Sequence, residues 1–336
     1  MRITRESLLR LTRTLVDLRV RGNRRLVCVY LTGSLIGEEA LLGGTTDIDL
    51  IFVHSDEPPV HREVERVNDD VHLDIAHFSQ SVFQHPRGLR ADPWLGTYLC
   101  ENPIVLHDMQ HWFEFTQASV CAHFYQPETV WARVRPMSDV ARQSWMNLEA
   151  GEQTSTVDFL NTYLSVMQSS ANTLACLNGG PLTERRFLLK LPERTQAVGK
   201  PELFGAFVDL LWPQPLENSQ WEPWAAAWKS CLVEASEQPG CPTRFKACRV
   251  GYYTRAADAM FDEHPSAALW LMLRTWTQVL GLFPALSGQE DWAQMTAALN
   301  LSAPHHEERM QQLDGYLDAV EETLDEWARA NGIETL

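Results

Sequence analysis

Basic residues are scarce in this sequence. Its 336 residues include 28 Lys and Arg residues against 44 Asp and Glu residues, so the formal net charge is −16. Proteins that bind the nucleic-acid backbone need clustered Lys and Arg side chains, and this composition therefore argues against nucleic acid as a partner. It is better suited to a cationic partner, or to a partner without charge.

Long apolar runs are absent as well. No stretch of about 18 consecutive apolar residues occurs, so the sequence predicts no transmembrane helix and no membrane partner. The apolar residues of the opening segment, MRITRESLLRLTRTLVDLRVRGN, are spaced rather than continuous, which is not the pattern of a signal peptide. We therefore expect a cytoplasmic protein.

Cysteine pairs of the C-x-x-C type are also missing. The seven cysteines are odd in number, and most of them lie beside apolar residues. This pattern predicts buried, reduced thiols and argues against a zinc site.

The first 120 residues show a helix followed by strands. Leu8, Leu11, Leu15 and Leu18 recur at intervals of three and four, which predicts a helix that stops at the RGN segment. Apolar and alternating segments then predict three strands, at residues 25–31, 47–53 and 71–78.

From about residue 120 onward, the apolar residues recur at helical spacing. Helices are predicted at residues 157–177, 183–191, 200–212, 221–235, 252–283, 287–299 and about 313–327. The second of these helices has Thr183 as an N-cap candidate, and we expect it to end at Pro192. These patterns predict an N-terminal α/β domain over residues 1–120 and a C-terminal α-helical bundle over residues 121–336.

Two aspartates interrupt an apolar strand in the segment LTGSLIGEEALLGGTTDIDLIFV. Asp47 and Asp49 are two residues apart, so their side chains project from the same face of the strand. Asp74 lies among apolar neighbours in the third strand, and the three carboxylates converge if the strands pair. Close carboxylates repel one another, and TTDIDLIFV contains no Lys or Arg, so we expect a divalent cation as the counter-charge. Oxygen ligands of this kind suit Mg²⁺ or Mn²⁺.

A Gly-Ser turn ends the strand before the aspartates. Gly33 would let the backbone approach a phosphate closely, and Ser34 can donate its hydroxyl and its backbone N–H. A metal ion held by carboxylates leaves coordination sites for phosphate oxygens. The combination predicts a site for a nucleoside triphosphate.

These motifs carry a resemblance to a known family. LTGS, a spacer of twelve residues, DIDL and a later strand with LDI resemble the nucleotidyltransferase superfamily that includes DNA polymerase β. Residues 161–198 and the segment LCENPIVLHD at 99–108 look like parts of the bacterial aminoglycoside adenylyltransferases. The resemblance covers roughly residues 25–200 and implies an α+β protein: a polymerase β-like mixed sheet with helices, followed by the helical bundle.

The resemblance also implies an activity. Asp47, Asp49 and Asp74 would hold two Mg²⁺ ions, or Mn²⁺ in their place, and a nucleoside monophosphate would pass to a hydroxyl group with release of pyrophosphate. ATP is the expected donor, and a small, aminoglycoside-like cation is the expected acceptor. The third carboxylate binds metal in the polymerases, whereas a glutamate there acts as a base in the adenylyltransferases, so both roles are open for Asp74.

The chain departs from the family at one position. The Ser-Lys pair that is thought to hold the triphosphate in the adenylyltransferases falls near Thr183 and Glu184, so the Lys position is acidic here. Arg185, Arg186 and Lys190 lie close by and are candidate phosphate ligands. The alternative is that they form a solvated helix face.

Three functions are therefore in competition. The first is transfer to a small molecule, and the second is transfer to a protein side chain or a tRNA, as in toxin–antitoxin systems. The third is a degenerate module that senses a nucleotide without chemistry, which the acidic residue at the Lys position favours and the intact aspartates oppose. Candidate acceptor contacts, which no motif supports, are Glu101, Glu149, Glu152 and Asp158.

Overall fold

The computed structural model describes residues 3–37, 39–151, 155–212 and 218–334. It is an α+β protein with two compact units, residues 1–129 and residues 130–336. The two units divide after residue 129, whereas the sequence predicted a boundary after residue 120. The expected boundary falls at the end of the helix Trp112–Cys121, and this helix and the turn that follows it both belong to the first unit.

A five-stranded mixed sheet forms the centre of the first unit. Its strands are β1 (Leu26–Thr32), β2 (Thr46–His54), β3 (Arg62–Arg66), β4 (Val71–Ser79) and β5 (Ile104–Asp108). The spatial order is β3-β4-β2-β1-β5; β2 and β4 run parallel, and the other neighbours are antiparallel. The predictions of β1, β2 and β4 are confirmed, and the two edge strands were not predicted.

Helices cover both faces of this sheet. On one face, α1 (Arg5–Val20) contributes Leu8 and Val16 to a core with Leu50 of β2. On the other face lie α2 (Pro86–Ala91), α3 (Leu95–Cys100) and α4 (Trp112–Cys121), which pack over Ile51 and Val53. Because side chains alternate along a strand, the face of Ile51 and Val53 is also the face of Asp47 and Asp49.

The second unit is helical in its described part. Its helices are α5 (Pro127–Glu149, which begins just before the division), α6 (Thr156–Ala175), α7 (Phe187–Ala197), α8 (Glu202–Leu211), α9 (Asn218–Ser236), α10 (Ala247–Phe261), α11 (Pro265–Leu282), α12 (Gln289–Ala298) and α13 (His306–Ala330). The central helix is α11, which contacts α6, α7, α9, α10 and α12 and buries Trp270 and Trp276 completely.

Two helix predictions in this unit were wrong in their bounds. The segment 252–283 is divided between α10 and α11, because Pro265 lacks an N–H group and is the first residue of α11. The helix expected at 183–191 begins at Phe187 and continues to Ala197, with Pro192 inside it. A proline there removes one hydrogen bond of the helix, and the burial of Phe187, Leu188 and Leu191 offsets that loss. Thr183, the expected N-cap, precedes a short 3₁₀ turn at Glu184–Arg186 instead, and its side chain makes no capping hydrogen bond.

The expectation that all cysteines are reduced was also wrong. Cys100, at the end of α3, forms a disulfide with Cys121, at the end of α4, with their Cα atoms 5.5 Å apart. The two residues are 21 positions apart, and only the packing of α3 against α4 brings them together. Cys28, Cys176 and Cys231 are buried, as expected.

None of the helices within the described ranges is long and apolar enough to cross a membrane.

Candidate metal and nucleotide site

The three predicted carboxylates meet on neighbouring strands. The parallel register of β2 and β4 sets Asp49 opposite Asp74 and Asp47 opposite His72. One carboxylate oxygen from each of the three aspartates lies within 4.8 Å of the others. Asp47 and Asp74 are buried, and Asp49 is half-buried. Solvent therefore reaches the cluster mainly at Asp49.

Gly33 leaves the space that Asp49 fills. Thr32, the last residue of β1, pairs with Asp49, so the next residue lies directly beside this aspartate. Gly33 has φ +75°, and a Cβ built on it would lie only 1.9 Å from Oδ2 of Asp49. Both the backbone conformation and the close approach therefore require glycine at this position.

A 3₁₀ turn at Gly33–Ile36 carries Ser34 beside the cluster. Leu35 is fully buried, and the side chain of Arg5 in α1 donates to the carbonyl oxygens of Leu35 and Ile36, at 3.1 and 2.8 Å. Ser34 itself is half-buried. The turn is therefore anchored by α1 and by the core, and the Ser34 hydroxyl donates a long hydrogen bond to the Ala40 carbonyl oxygen, at 3.5 Å.

Arg62 supplies a counter-charge that was not predicted. Its Nε donates to Oδ1 of Asp74 at 2.7 Å, and its Nη2 donates to Oδ2 at 2.8 Å. Asp74 therefore has an arginine as one counter-charge, and the divalent ion expected at the cluster stays a prediction. Arg62 escaped prediction because it comes from the charged edge strand REVER, in which no apolar alternation marks a strand.

Tyr98 of α3 lies beside the same cluster and was also not predicted. Burial raises the pKa of the Tyr98 phenol well above its ordinary value, and the negative charges of Asp49 and Asp74 raise this pKa further. The positive charge of Arg62 acts in the opposite direction on the same pKa. The phenol therefore stays protonated at neutral pH.

The residues of the cluster fit a divalent metal ion. Three carboxylates at this separation form the oxygen donor set that Mg²⁺ and Mn²⁺ prefer. One of the three carboxylates, that of Asp74, already pairs with a positive charge, the guanidinium of Arg62. The cradle at Gly33 holds Asp49 in place for the same donor set.

The candidate phosphate ligands belong to the second unit, and the aspartates belong to the first. Arg185 is buried, with its guanidinium carbon 3.7 Å from the centroid of the Tyr252 ring and Nη1 donating to the Tyr252 carbonyl oxygen. Arg186 is half-buried, whereas Thr183 and Lys190 are exposed. Contact with a triphosphate stays a prediction for these four residues.

The acceptor candidates are divided between the two units, and contact with an acceptor stays a prediction for all of them. Glu101 is half-buried just after α3, and Glu149 is exposed at the end of α5. Asp158 accepts a hydrogen bond from the Ser155 hydroxyl at 2.7 Å in the first turn of α6. Glu152 lies outside the described residues.

No model of a known protein family matches this chain, and a search of curated proteins finds no match either. The chemistry of the aspartate cluster is therefore the basis for a function. Three carboxylates, the turn at Gly33 and the half-buried Ser34 lie close together, and the carboxylates form a donor set that suits a divalent metal ion.

Proposed function

We propose that this protein is a metal-dependent nucleotidyltransferase of the polymerase β-like fold. It transfers a nucleoside monophosphate, AMP from ATP, to the hydroxyl group of a small molecule and releases pyrophosphate. One observation carries the proposal: Asp47, Asp49 and Asp74 converge within 4.8 Å on adjacent parallel strands, beside the tight turn at Gly33. The five-stranded mixed sheet is consistent with the proposed fold.

The residues of the cluster have separate tasks in this proposal. Asp47 and Asp49 share one face of β2 and would hold the metal ions, and Asp74 would complete the donor set from β4. A divalent ion held there would supply positive charge for the phosphate oxygens and for the leaving pyrophosphate. Ser34 donates its hydroxyl to a phosphate, which Gly33 allows to come close to the backbone.

The acceptor in this proposal is a cationic small molecule. The chain carries a formal net charge of −16, which raises the local concentration of a polycation and repels nucleic acid. An aminoglycoside combines positive charge with hydroxyl groups, and it is therefore the first acceptor class to test.

A calorimetric titration tests the nucleotide site. A non-hydrolysable ATP analogue is titrated with and without Mg²⁺ into wild type, into Asp47→Asn and into Asp56→Asn, which removes the same charge from an exposed loop after β2. We expect Mg²⁺-dependent binding in wild type and in Asp56→Asn, and a loss of at least about tenfold in Asp47→Asn. No binding of ATP, GTP, CTP or UTP analogues under any metal condition contradicts the proposal.

A second assay separates catalysis from sensing. Pyrophosphate release is followed with ATP, Mg²⁺ and a panel of aminoglycosides, tRNA and proteins. Release with an aminoglycoside and its loss in Asp47→Asn support the proposed reaction. Binding of nucleotide without release for any acceptor identifies a nucleotide-sensing module instead.

A further inference from the structure

The ion pair of Arg62 and Asp74 joins a largely exposed guanidinium to a buried carboxylate. The guanidinium contacts both carboxylate oxygens, at 2.7 and 2.8 Å, in a forked arrangement. The Asp74 side chain is only 3% exposed, whereas the Arg62 side chain is 60% exposed. A mainly solvated arginine therefore reaches in to neutralise an enclosed carboxylate.

The oxygens that Arg62 contacts belong to the proposed metal ligands. A buried carboxylate without a positive partner is strongly unfavourable, so the guanidinium stabilises Asp74 in the metal-free protein. Arginine keeps its charge at every ordinary pH, and it cannot yield to a metal ion by losing a proton. A divalent ion that approaches Asp74 must therefore overcome the repulsion of the guanidinium or displace it.

We propose that Arg62 acts as an internal substitute for the metal ion. It holds the Asp74 carboxylate in the metal-free protein, and a divalent ion binds the aspartate cluster only when this guanidinium leaves Asp74. The inference rests on the proposed function, because it assigns a role to Arg62 at the same site. Arg62 is thus a positioning residue that sets the metal affinity.

The surroundings of Arg62 allow this exchange. Arg62 is the first residue of an edge strand, and the residue opposite it in β4 is the small Ala76. On the other face of β3, Arg19 of α1 forms ion pairs with Glu63 and Glu65. These pairs hold the strand to α1, so the Arg62 side chain can turn into solvent while the backbone of β3 stays in place.

Arg66 provides a matched control in the same strand. Its side chain is also 60% exposed, and it pairs with the exposed Asp69 instead of the cluster. It projects from the same face as Arg62, four residues away. Removal of either arginine changes the net charge equally, but only the removal of Arg62 frees Asp74 from its fork.

The test measures binding of Mn²⁺ alone to the full chain, by electron paramagnetic resonance and by calorimetry. We expect Arg62→Gln to bind Mn²⁺ about tenfold more tightly than wild type, which corresponds to about 1.4 kcal/mol, and Arg66→Gln to stay within about twofold. We also expect Arg62→Gln to have a lower Tm than wild type in EDTA and to recover it with Mn²⁺. Arg62→Lys keeps the charge but loses the forked contact, so we expect it to show a smaller gain in Mn²⁺ affinity. This variant serves as the test if Arg62→Gln does not fold.

The outcomes separate this inference from the proposed function. If wild type binds Mn²⁺ and the Arg62 variants bind it equally or more weakly, the inference is overturned and the proposed function stands. An equal gain in Arg66→Gln overturns it as well, because the effect is then one of net charge. If neither wild type nor the Arg62 variants bind Mn²⁺, both proposals are overturned.

Discussion

At the scale of single residues, Gly33 is the most demanding position of the site. An alanine there would need a left-handed backbone, and its methyl group would overlap the Asp49 carboxylate at 1.9 Å. We expect Gly33→Ala to lose Mg²⁺-dependent nucleotide binding by at least about tenfold, because Asp49 must move away from Asp47 and Asp74. Calorimetry with the ATP analogue measures this loss.

Gly22 is a control that separates the cost of a left-handed backbone from the overlap with the Asp49 carboxylate. Its φ is +78°, close to that of Gly33, but a Cβ there would meet no described atom within 4 Å. Gly22→Ala should therefore lower the free energy of unfolding by about 1–2 kcal/mol, as the left-handed conformation requires, and leave nucleotide binding unchanged. Normal nucleotide binding by Gly33→Ala would show that Asp49 is not needed in its present position.

At the scale of elements, the disulfide joins α3 to α4. It closes a loop of 21 residues, and it secures the helix that carries Tyr98 beside the aspartates. By the chain-entropy argument, a loop of this length stabilises the folded protein by about 3 kcal/mol. We expect dithiothreitol to lower the free energy of unfolding in urea by about that amount in wild type.

The double variant Cys100→Ser/Cys121→Ser is the control for this measurement. It should begin at the lower stability and show no response to dithiothreitol. If wild type is also insensitive to dithiothreitol, the two cysteines are not linked in the isolated protein.

The opposite face of the sheet holds a polar cluster that should make stability depend on pH. His54 Nε2 and His77 Nδ1 are 2.9 Å apart, His77 lies 3.4 Å from a Glu63 oxygen, and Glu63 pairs with Arg19. Burial lowers the pKa of both histidines, and the second histidine lowers that of His54 further. Burial alone would raise the pKa of Glu63, but the hydrogen bond and charge of Arg19 outweigh it and lower this pKa.

All three shifts have the same consequence for stability. The unfolded chain takes up protons near the ordinary values of 6.5 for histidine and 4.5 for glutamate, before the folded protein does. The stabilisation is therefore present above pH 6.5 and is lost as the pH falls, first through the histidines and then through Glu63. Urea unfolding should show that the free energy of unfolding of wild type is lower at pH 5 than at pH 8. We expect this decrease to be smaller in His77→Gln and to equal that of wild type in His85→Gln, which changes an exposed histidine.

At the scale of the whole molecule, the parts that could be predicted are those with a local pattern. Asp47 and Asp49 stand out because a strand with a period of two carries both carboxylates on one face amid apolar residues. The helices of the second unit show the apolar spacing of buried helices, as in α6. The aspartate cluster itself followed from pairing these strands.

The parts that could not be predicted depend on contacts between distant residues. β3 is an edge strand that pairs on one side only, and most of its residues are charged, so its sequence lacks the pattern of a buried strand. Because β3 was not predicted, the contact of Arg62 with the aspartate cluster was not predicted either. The disulfide depends on the packing of two short helices. The break between α10 and α11 is a different case, because the polar residues Asp262, Glu263 and His264 and then Pro265 mark it in the sequence, and the prediction of one helix over 252–283 overlooked this local signal.

The division of the chain leads to a prediction about the first unit on its own. Residues 1–129 contain both cores of the sheet, the disulfide, Arg62 and the complete aspartate cluster. A unit of this size with its own core is within the usual range for independent folding. We therefore expect the fragment 1–129 to unfold cooperatively and to bind Mn²⁺ within about threefold of the affinity of the full chain.

The same fragment should not turn over ATP if the proposed phosphate ligands Arg186 and Lys190 are needed for the reaction, because both are absent from it. Its circular dichroism, its Mn²⁺ titration and a pyrophosphate assay give three independent readouts, and the fragment with Asp47→Asn is the control for specific metal binding. A folded fragment that does not bind Mn²⁺ would mean that the carboxylates of the first unit need groups from the second unit to hold the ion. Binding without turnover would assign the metal to the sheet and the positioning of the triphosphate to the helices.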